Sequence, residues 1–127
     1  MQSPKRILIV DDEESIQKVV SLSLKLEASW ESITASSGKE GIRQAEVHHP
    51  DAILLDVMMP ELDGIATFEA LGNNPKTSAI PVILLTAKTR TAERRLFQNI
   101  GVAGVILKPF NPLALASEIA KLLDWTI

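Results

Sequence analysis

The stretch RILIVDD at residues 6–12 decides the fold of this chain, because an apolar run ends there in a pair of carboxylates. Three further runs have the same form: AILLD at residues 52–56, PVILLTA at 81–87 and GVILK at 104–108. Short, β-branched apolar runs are typical of strands that are buried on both faces of a parallel sheet. The ligand site of an open parallel sheet lies beyond the carboxyl ends of its strands. The sequence therefore predicts that carboxylates, a hydroxyl and an ammonium converge at one edge of a sheet.

Helical patterns alternate with the apolar runs, which predicts βαβ units of an α/β fold. Five such units with right-handed crossovers give a three-layer sandwich with the flavodoxin-like strand order 2-1-3-4-5. Its crevice lies between the first and third strands, where Asp11, Asp12 and Asp56 fall. The strands are predicted over residues 6–10, 31–35, 51–55, 81–85 and 104–107. The helices are predicted over 13–28, from Ser37-Gly38 to Pro50, and over 65–72, 90–100 and 112–124.

Two of these helices carry more detailed predictions. In the first, Ile16, Val19, Val20, Leu24 and Leu26 recur at helical spacing and mark its apolar stripe. The last helix should open with Asn111 as its N-cap and Pro112 at its first position.

Apolar residues also cover about half of the circumference of the last helix, more than the roughly 100° that a core-facing stripe requires. Most of them are expected to be buried, whereas Leu115 and Leu122, at the edge of the arc, and Trp125 are candidates for a partner or dimer surface.

The bulk composition is that of an ordinary globular domain. The 127 residues suit one domain, spanning 1–127 with a short extension at 1–5. The net charge of -3 argues against a broad nucleic-acid-binding patch. Cysteine is absent, which excludes disulfide and zinc-thiolate chemistry and is compatible with the cytoplasm. Apolar runs stay well below the roughly 20 residues of a membrane helix, so no membrane location is expected. The net charge likewise gives no reason to expect direct nucleic-acid binding.

The acidic residues of the crevice indicate a metal site. By itself the pair Asp11-Asp12 fits a simple role as a cap of the first helix, since carboxylates favour helix N-termini. Asp56 at the neighbouring strand end changes this interpretation, because three nearby carboxylates repel one another strongly unless a cation joins them. Oxygen ligands without Cys or His favour Mg²⁺.

The remaining strand-end residues suit phosphoryl transfer. A metal-bound carboxylate such as Asp56 is a competent nucleophile toward phosphorus. Thr86 and the backbone N–H of Ala87 are suited to contact a phosphoryl oxygen, and Lys108, directly before Pro109, can neutralise charge on the transferring group. Each residue alone also fits a simpler role, as a loop aspartate, a strand-end threonine or a surface lysine. Together and in this order they favour phosphoryl chemistry.

The same motifs resemble those of response-regulator receiver domains, the CheY-like family of two-component signalling. The resemblance extends from Lys5 to about Trp125. It rests on ILIVDDE at 7–13, LLDVMMPELDG at 54–64, LLTA at 84–87 and LKPF at 107–110.

The resemblance implies a role for each site residue. Asp56 corresponds to the phosphoacceptor, Asp12 to the direct Mg²⁺ ligand, and Asp11 to a ligand that acts mostly through water. Met58 corresponds to the position whose backbone carbonyl binds the metal. Thr86 corresponds to the switch hydroxyl, and Lys108 corresponds to the phosphoryl-contacting lysine, whose bond to Pro109 is usually cis in the family.

Partners and output follow from the same resemblance. The phosphoryl group would come from a phosphohistidine on a sensor histidine kinase or a histidine phosphotransfer protein. The chain would then be a signalling phosphoacceptor rather than an enzyme, and would change its binding of an unknown downstream protein. A monomer or a weak homodimer through helix 4, strand 5 and helix 5 is expected. No output domain is expected from residues 1–127 themselves, so the chain is expected to be a stand-alone regulator, a relay intermediate or a receiver cut from a longer protein.

One position departs from the family pattern. The family often has Tyr or Phe three residues before the lysine, and here that residue is Val105. An aromatic side chain that swings between two positions is therefore excluded at this point.

The lifetime of a phosphorylated form is expected to be long. In receivers, the side chains two residues after the phosphoacceptor and two after the threonine flank the path of the hydrolytic water. Met58 and Lys88 occupy these positions here, and a thioether orients water poorly.

Two other functions fit the sequence less well than a receiver does. A Mg²⁺-dependent phosphatase of small molecules that forms an aspartyl-phosphate would need a carboxylate at Met58. A flavin-binding module would need a phosphate-binding loop at residues 11–14, where four acidic residues stand instead. A degenerate receiver is a third alternative, but every matching site residue is present.

Overall fold

Five parallel strands form the centre of the protein. The computed structural model describes residues 4–57, 64–87 and 100–126. The strands run in the order β2-β1-β3-β4-β5, which confirms the predicted topology. They are β1 (Arg6–Val10), β2 (Glu31–Ala35), β3 (Ala52–Asp56), β4 (Val82–Thr86) and β5 (Gly104–Leu107).

Four helices are described around the sheet: α1 (Glu14–Ala28), α2 (Gly38–His48), α3 (Gly64–Gly72) and the C-terminal helix (Leu115–Leu123). The hydroxyl of Ser37 caps α2 by accepting a hydrogen bond from the backbone N–H of Glu40. The predicted helix over 90–100 lies outside the described residues except at its last position. Among the described residues, no helix combines the length and the apolar character that a membrane crossing requires.

Alternate strand residues separate two apolar cores, one on each face of the sheet. On one face, Ile9 and Leu54 pack with α1 and the C-terminal helix. On the other face, Leu8 and Leu55 pack with α2 and α3. This double burial explains why the strands are continuous apolar runs rather than alternating ones.

The apolar stripe of α1 is narrower than the sequence suggested. Val20 and Leu24 are fully buried, but Val19 is 42% exposed and Leu26 is 77% exposed. Gln17 joins Val20 and Leu24 on the buried side, at the i, i+3, i+7 spacing of one helix face.

The start of the C-terminal helix was predicted wrongly. Asn111 does accept a hydrogen bond from the backbone N–H of Leu113 at 3.0 Å, but a turn follows and the helix begins only at Leu115. Leu115 is fully buried, so its prediction as a surface residue is also wrong. Trp125, also proposed for that surface, packs edge-on against Trp30, with 5.5 Å between ring centroids.

Candidate functional site

The carboxyl ends of β1 and β3 bring three acidic side chains together. Carboxylate oxygens of Asp11, Asp12 and Asp56 all lie within 4.8 Å of one another. Asp11 and Asp56 are buried, whereas Asp12 is exposed. The parallel pairing of Val10 with Leu55 places the two strand ends side by side. The predicted convergence of these three residues is therefore observed.

Asp11 is held at each of its polar groups. Its backbone N–H donates to the carbonyl of Ala35 at 3.0 Å, and its Oδ1 accepts from the backbone N–H of Glu13 at 2.9 Å. Its own carbonyl accepts from the Gln17 side chain at 2.7 Å. This network fixes the short connection between β1 and α1.

Lys108 joins the two buried carboxylates. Its Nζ lies 3.3 Å from Asp11 Oδ2 and 3.4 Å from Asp56 Oδ1. Burial works to lower the pKa of Lys108, but the adjacent charges of Asp11 and then Asp56, with their hydrogen bonds, outweigh it and hold the pKa above its ordinary value. The ammonium is therefore charged across the physiological range.

The remaining charge at the site suits a divalent cation. Three carboxylates and one ammonium leave two negative charges in a partly buried space. The donors are oxygens only, which is the set that Mg²⁺ binds with retained water. The exposure of Asp12 leaves an open side for water and for a phosphoryl group. The residues present thus fit the implied metal in charge, donor type and access.

Gly64 contacts the backbone of Asp56 and Val57 at the end of β3. The N–H of Gly64, at the start of α3, donates to the carbonyl of Val57 at 3.0 Å. A Cβ on Gly64 would lie 2.4 Å from the carbonyl oxygen of Asp56 and 2.6 Å from the Cα of Val57. Only glycine allows α3 to approach the end of β3 so closely.

Thr86 and Ala87 lie at the end of β4, next to β3. Thr86 is fully buried and Ala87 is exposed. The Thr86 carbonyl accepts from the Lys108 backbone N–H at 2.8 Å, which ties the β4 end to the lysine. The bond from Lys108 to Pro109 is cis, as the resemblance implied.

Other predicted positions have different outcomes. Met58 and Lys88 lie outside the described residues, so the metal-binding carbonyl of Met58 and the long lifetime of the phosphorylated form stay predictions. Val105 is partly buried and packs against the core beside α2 and α3.

Two residues that matter here escaped the sequence analysis. Gln17 is buried and contacts the Asp11 backbone; its polar side chain at a core-facing helical position was the available signal. Glu27 accepts hydrogen bonds from the backbone N–H groups of Ala116 and Ser117 and from the Ser117 hydroxyl, so α1 caps the C-terminal helix. No local pattern joins residues so distant in sequence.

Known proteins are similar to this chain in both sequence and fold. The sequence pattern of the family described as response regulator receiver domain matches residues 7–120. The alkaline phosphatase synthesis transcriptional regulatory protein PhoP of Bacillus subtilis (strain 168) is 37% identical over 119 residues, which cover 94% of this chain and 48% of that protein. The chain spans about half the length of the curated relatives it matches.

Two solved structures extend the comparison. The chemotaxis response regulator CheY4 of Vibrio cholerae superposes with a TM-score of 0.86 at 29% identity, covering 94% of this chain and 99% of that chain. The N-terminal domain of a response regulator receiver protein from Methanoculleus marisnigri JR1 superposes with a TM-score of 0.78 at 35% identity, covering 98% and 100%. With its strand order and its acidic strand ends, the chain belongs to the response regulator receiver domain family.

Proposed function

We propose that the chain is a phosphoacceptor that receives a phosphoryl group on Asp56 from a phosphohistidine of a sensor kinase or a histidine phosphotransfer protein. The observation that carries this proposal is the cluster of Asp11, Asp12 and Asp56 at the sheet edge, with Lys108 within 3.4 Å of both buried carboxylates. A charge pattern of this kind is suited to binding a cation and a phosphoryl group together.

Asp11, Asp12 and Asp56 would hold Mg²⁺, together with the Met58 carbonyl that the resemblance implies. When bound, the ion would neutralise charge on the oxygens of the transferring group. The residues of the chain have separate tasks around it. Asp11 is fixed by its hydrogen bonds, whereas exposed Asp12 is accessible to an incoming cation.

In the transfer, a carboxylate oxygen of Asp56 attacks phosphorus. The O–P bond forms as the P–N bond of the phosphohistidine breaks, and the electron pair returns to the imidazole nitrogen. The ammonium of Lys108 stabilises the oxygens of the phosphoryl group in the transition state. The Thr86 hydroxyl and the Ala87 N–H, at the end of the adjacent strand, would bind the transferred oxygens.

The proposed output is a change of partner binding rather than turnover of a substrate. The chain would catalyse only its own phosphorylation and slow dephosphorylation. β5 directly precedes Lys108, so the surface formed by β5 and the C-terminal helix is the proposed reporter, and any homodimer would use it. Because β5 carries Val105 at this position, the surface would respond to phosphorylation without the movement of an aromatic side chain.

The proposed role is that of a receiver unit. The Bacillus relative is named as a transcriptional regulatory protein, but this chain matches only about half of such relatives. We propose that residues 1–127 form one receiver unit that acts in the cytoplasm and binds proteins rather than nucleic acid.

The test is phosphorylation by a small-molecule phosphodonor, followed by intact-mass spectrometry. Wild type should gain one phosphoryl group in the presence of Mg²⁺ and none in the presence of chelator. Asp56→Asn should remain unmodified. Asp51→Asn, directly before the opposite end of β3, is the matched control and should label like wild type. Undiminished labelling of Asp56→Asn, or labelling that ignores chelator, contradicts the proposal.

A further inference from the structure

The buried amide of Gln17 joins two loops at the site edge. Gln17 is 7% exposed, and its Nε2 lies 2.7 Å from the carbonyl oxygen of Asp11. The same nitrogen lies 3.2 Å from the carbonyl oxygen of Ala35 and 3.1 Å from the hydroxyl of Ser36. A primary amide has two N–H groups, so three acceptors compete for two hydrogens. The loop after β1 and the loop after β2 are thus linked through one side chain.

The contact with Asp11 bears on both acidic residues of this loop. The Asp11 carbonyl belongs to the peptide that connects Asp11 to Asp12. Fixing that oxygen therefore fixes the orientation of the peptide from which Asp12 projects. Asp12 is exposed, so its backbone has a larger part in placing its carboxylate than neighbouring side chains do. Gln17 acts on the acidic cluster without contacting any carboxylate in it.

The contact with Ser36 reaches the start of α2. The backbone N–H of Ser36 donates to the Glu40 side chain at 3.3 Å, and the backbone N–H of Glu40 donates to the Ser37 hydroxyl at 3.2 Å. These two bonds form the N-terminal cap of α2. A shift of the Gln17 amide between its acceptors would therefore change the environment of this cap.

We infer that Gln17 is a positioning residue, which holds the Asp11–Asp12 peptide in the geometry that cation binding requires and couples cation binding to residues 35–37, at the end of β2 and the start of α2. The inference rests on the proposed Mg²⁺ site. Removing a group that orients a metal ligand without contacting the metal typically weakens metal binding about 10- to 100-fold. Coupling of this kind is reciprocal, so bound cation also strengthens the Gln17 hydrogen bonds.

The test compares Gln17→Met with wild type. Methionine keeps the length of the side chain and removes its donors. Gln44→Met, the same substitution on α2, is the matched control. Mg²⁺ dissociation constants are measured by calorimetry at a temperature where circular dichroism shows all three proteins folded. We expect about tenfold weaker binding for Gln17→Met and unchanged binding for Gln44→Met.

A second readout follows the coupling itself. In wild type and in Gln44→Met, Mg²⁺ should shift the backbone amide resonances of Ser36 and Glu40. These shifts should disappear in Gln17→Met. If Gln17→Met does not fold, the test uses wild type alone and measures hydrogen exchange of the Gln17 side-chain amide. The inference requires that Mg²⁺ slows this exchange.

The outcomes separate this inference from the proposed function. If wild type binds no Mg²⁺, the metal site fails and the inference fails with it. If wild type binds Mg²⁺ and folded Gln17→Met binds it equally well, with the Ser36 shifts intact, only the role of Gln17 is overturned. Unchanged exchange of the Gln17 amide on Mg²⁺ binding has the same meaning.

Discussion

Replacing Asp12 by Asn should stabilise the metal-free protein. The three carboxylates lie within 4.8 Å of one another. At that separation two unit charges repel by about 0.9 kcal/mol in water and by about 3.5 kcal/mol at an effective dielectric of 20. Because Asp12 is exposed, the lower figure applies to each of its two pairs, which gives about 2 kcal/mol.

Two attractions reduce this gain. The N-terminus of α1 favours a nearby carboxylate by up to about 1 kcal/mol, and Lys108 adds to that attraction. The free energy of unfolding of Asp12→Asn should therefore rise by about 1 kcal/mol relative to wild type in chelator. For a domain of this size, the midpoint of thermal unfolding should rise by about 4 °C.

The assay is thermal unfolding at low ionic strength, with chelator and then with increasing Mg²⁺. Wild type should gain stability with Mg²⁺ by mass action, about 1.4 kcal/mol at ten times the dissociation constant, whereas Asp12→Asn should respond weakly. Added salt should reduce the stability difference between Asp12→Asn and wild type in chelator, because salt screens exposed charges. Glu14→Gln, the same charge change in the first turn of α1, breaks an exposed ion pair with Lys18 and should shift stability by less than about 0.5 kcal/mol. A lower midpoint for Asp12→Asn in chelator, or a full response of Asp12→Asn to Mg²⁺, would show that repulsion among the three carboxylates does not destabilise the metal-free protein.

Three further substitutions test the surroundings of the site. Gly64→Ala should cost about 3 kcal/mol of stability in chemical denaturation, because its Cβ would collide with the backbone of Asp56; Gly72→Ala on the same helix meets nothing within 4 Å and should be tolerated. Glu27→Gln should cost about 1 kcal/mol at neutral pH by weakening a helix cap. Partial burial works to raise the pKa of Glu27, but hydrogen bonds from Ser117 and Ala116 outweigh it and lower the pKa. The cost should therefore be constant above pH 4.5 and disappear as the pH falls below it; a cost that persists in acid would contradict this. Because the pKa of Lys108 is raised, its contribution should be fully present below pH 10.5 and lost only above it, so the stability difference between wild type and Lys108→Met should not change between neutral pH and that limit.

Much of the fold could be predicted from the sequence, because strands that are buried on both faces of the sheet are continuous apolar runs. The apolar runs that end in Asp11, Asp56 and Lys108 are strands in the predicted order. Local capping rules were less reliable. Asn111 and Pro112 have the chemistry of a helix start, yet the helix begins at Leu115, where Glu27 of another helix supplies the cap. Tertiary contact decided this boundary, and local propensity did not.

The candidate site was predictable to the extent that its residues occupy strand ends. Parallel strands deliver their carboxyl ends to one edge, so the approach of Asp11, Asp12 and Asp56 follows from topology. The supporting residues were not predictable in the same way. Gly64 acts through close backbone approach, and Gln17 acts through the backbone carbonyl groups of Asp11 and Ala35. Both roles depend on distances that only the folded chain sets.

The central claim, phosphorylation of Asp56, is tested most directly by mapping the modified residue. Protein treated with a phosphodonor and Mg²⁺ is reduced with borohydride, which converts an aspartyl-phosphate to homoserine. The protein is then digested, and its peptides are sequenced by mass spectrometry. We expect homoserine at residue 56 alone, and none when chelator replaces Mg²⁺. Homoserine at another aspartate, or no conversion in protein that binds Mg²⁺, would contradict it.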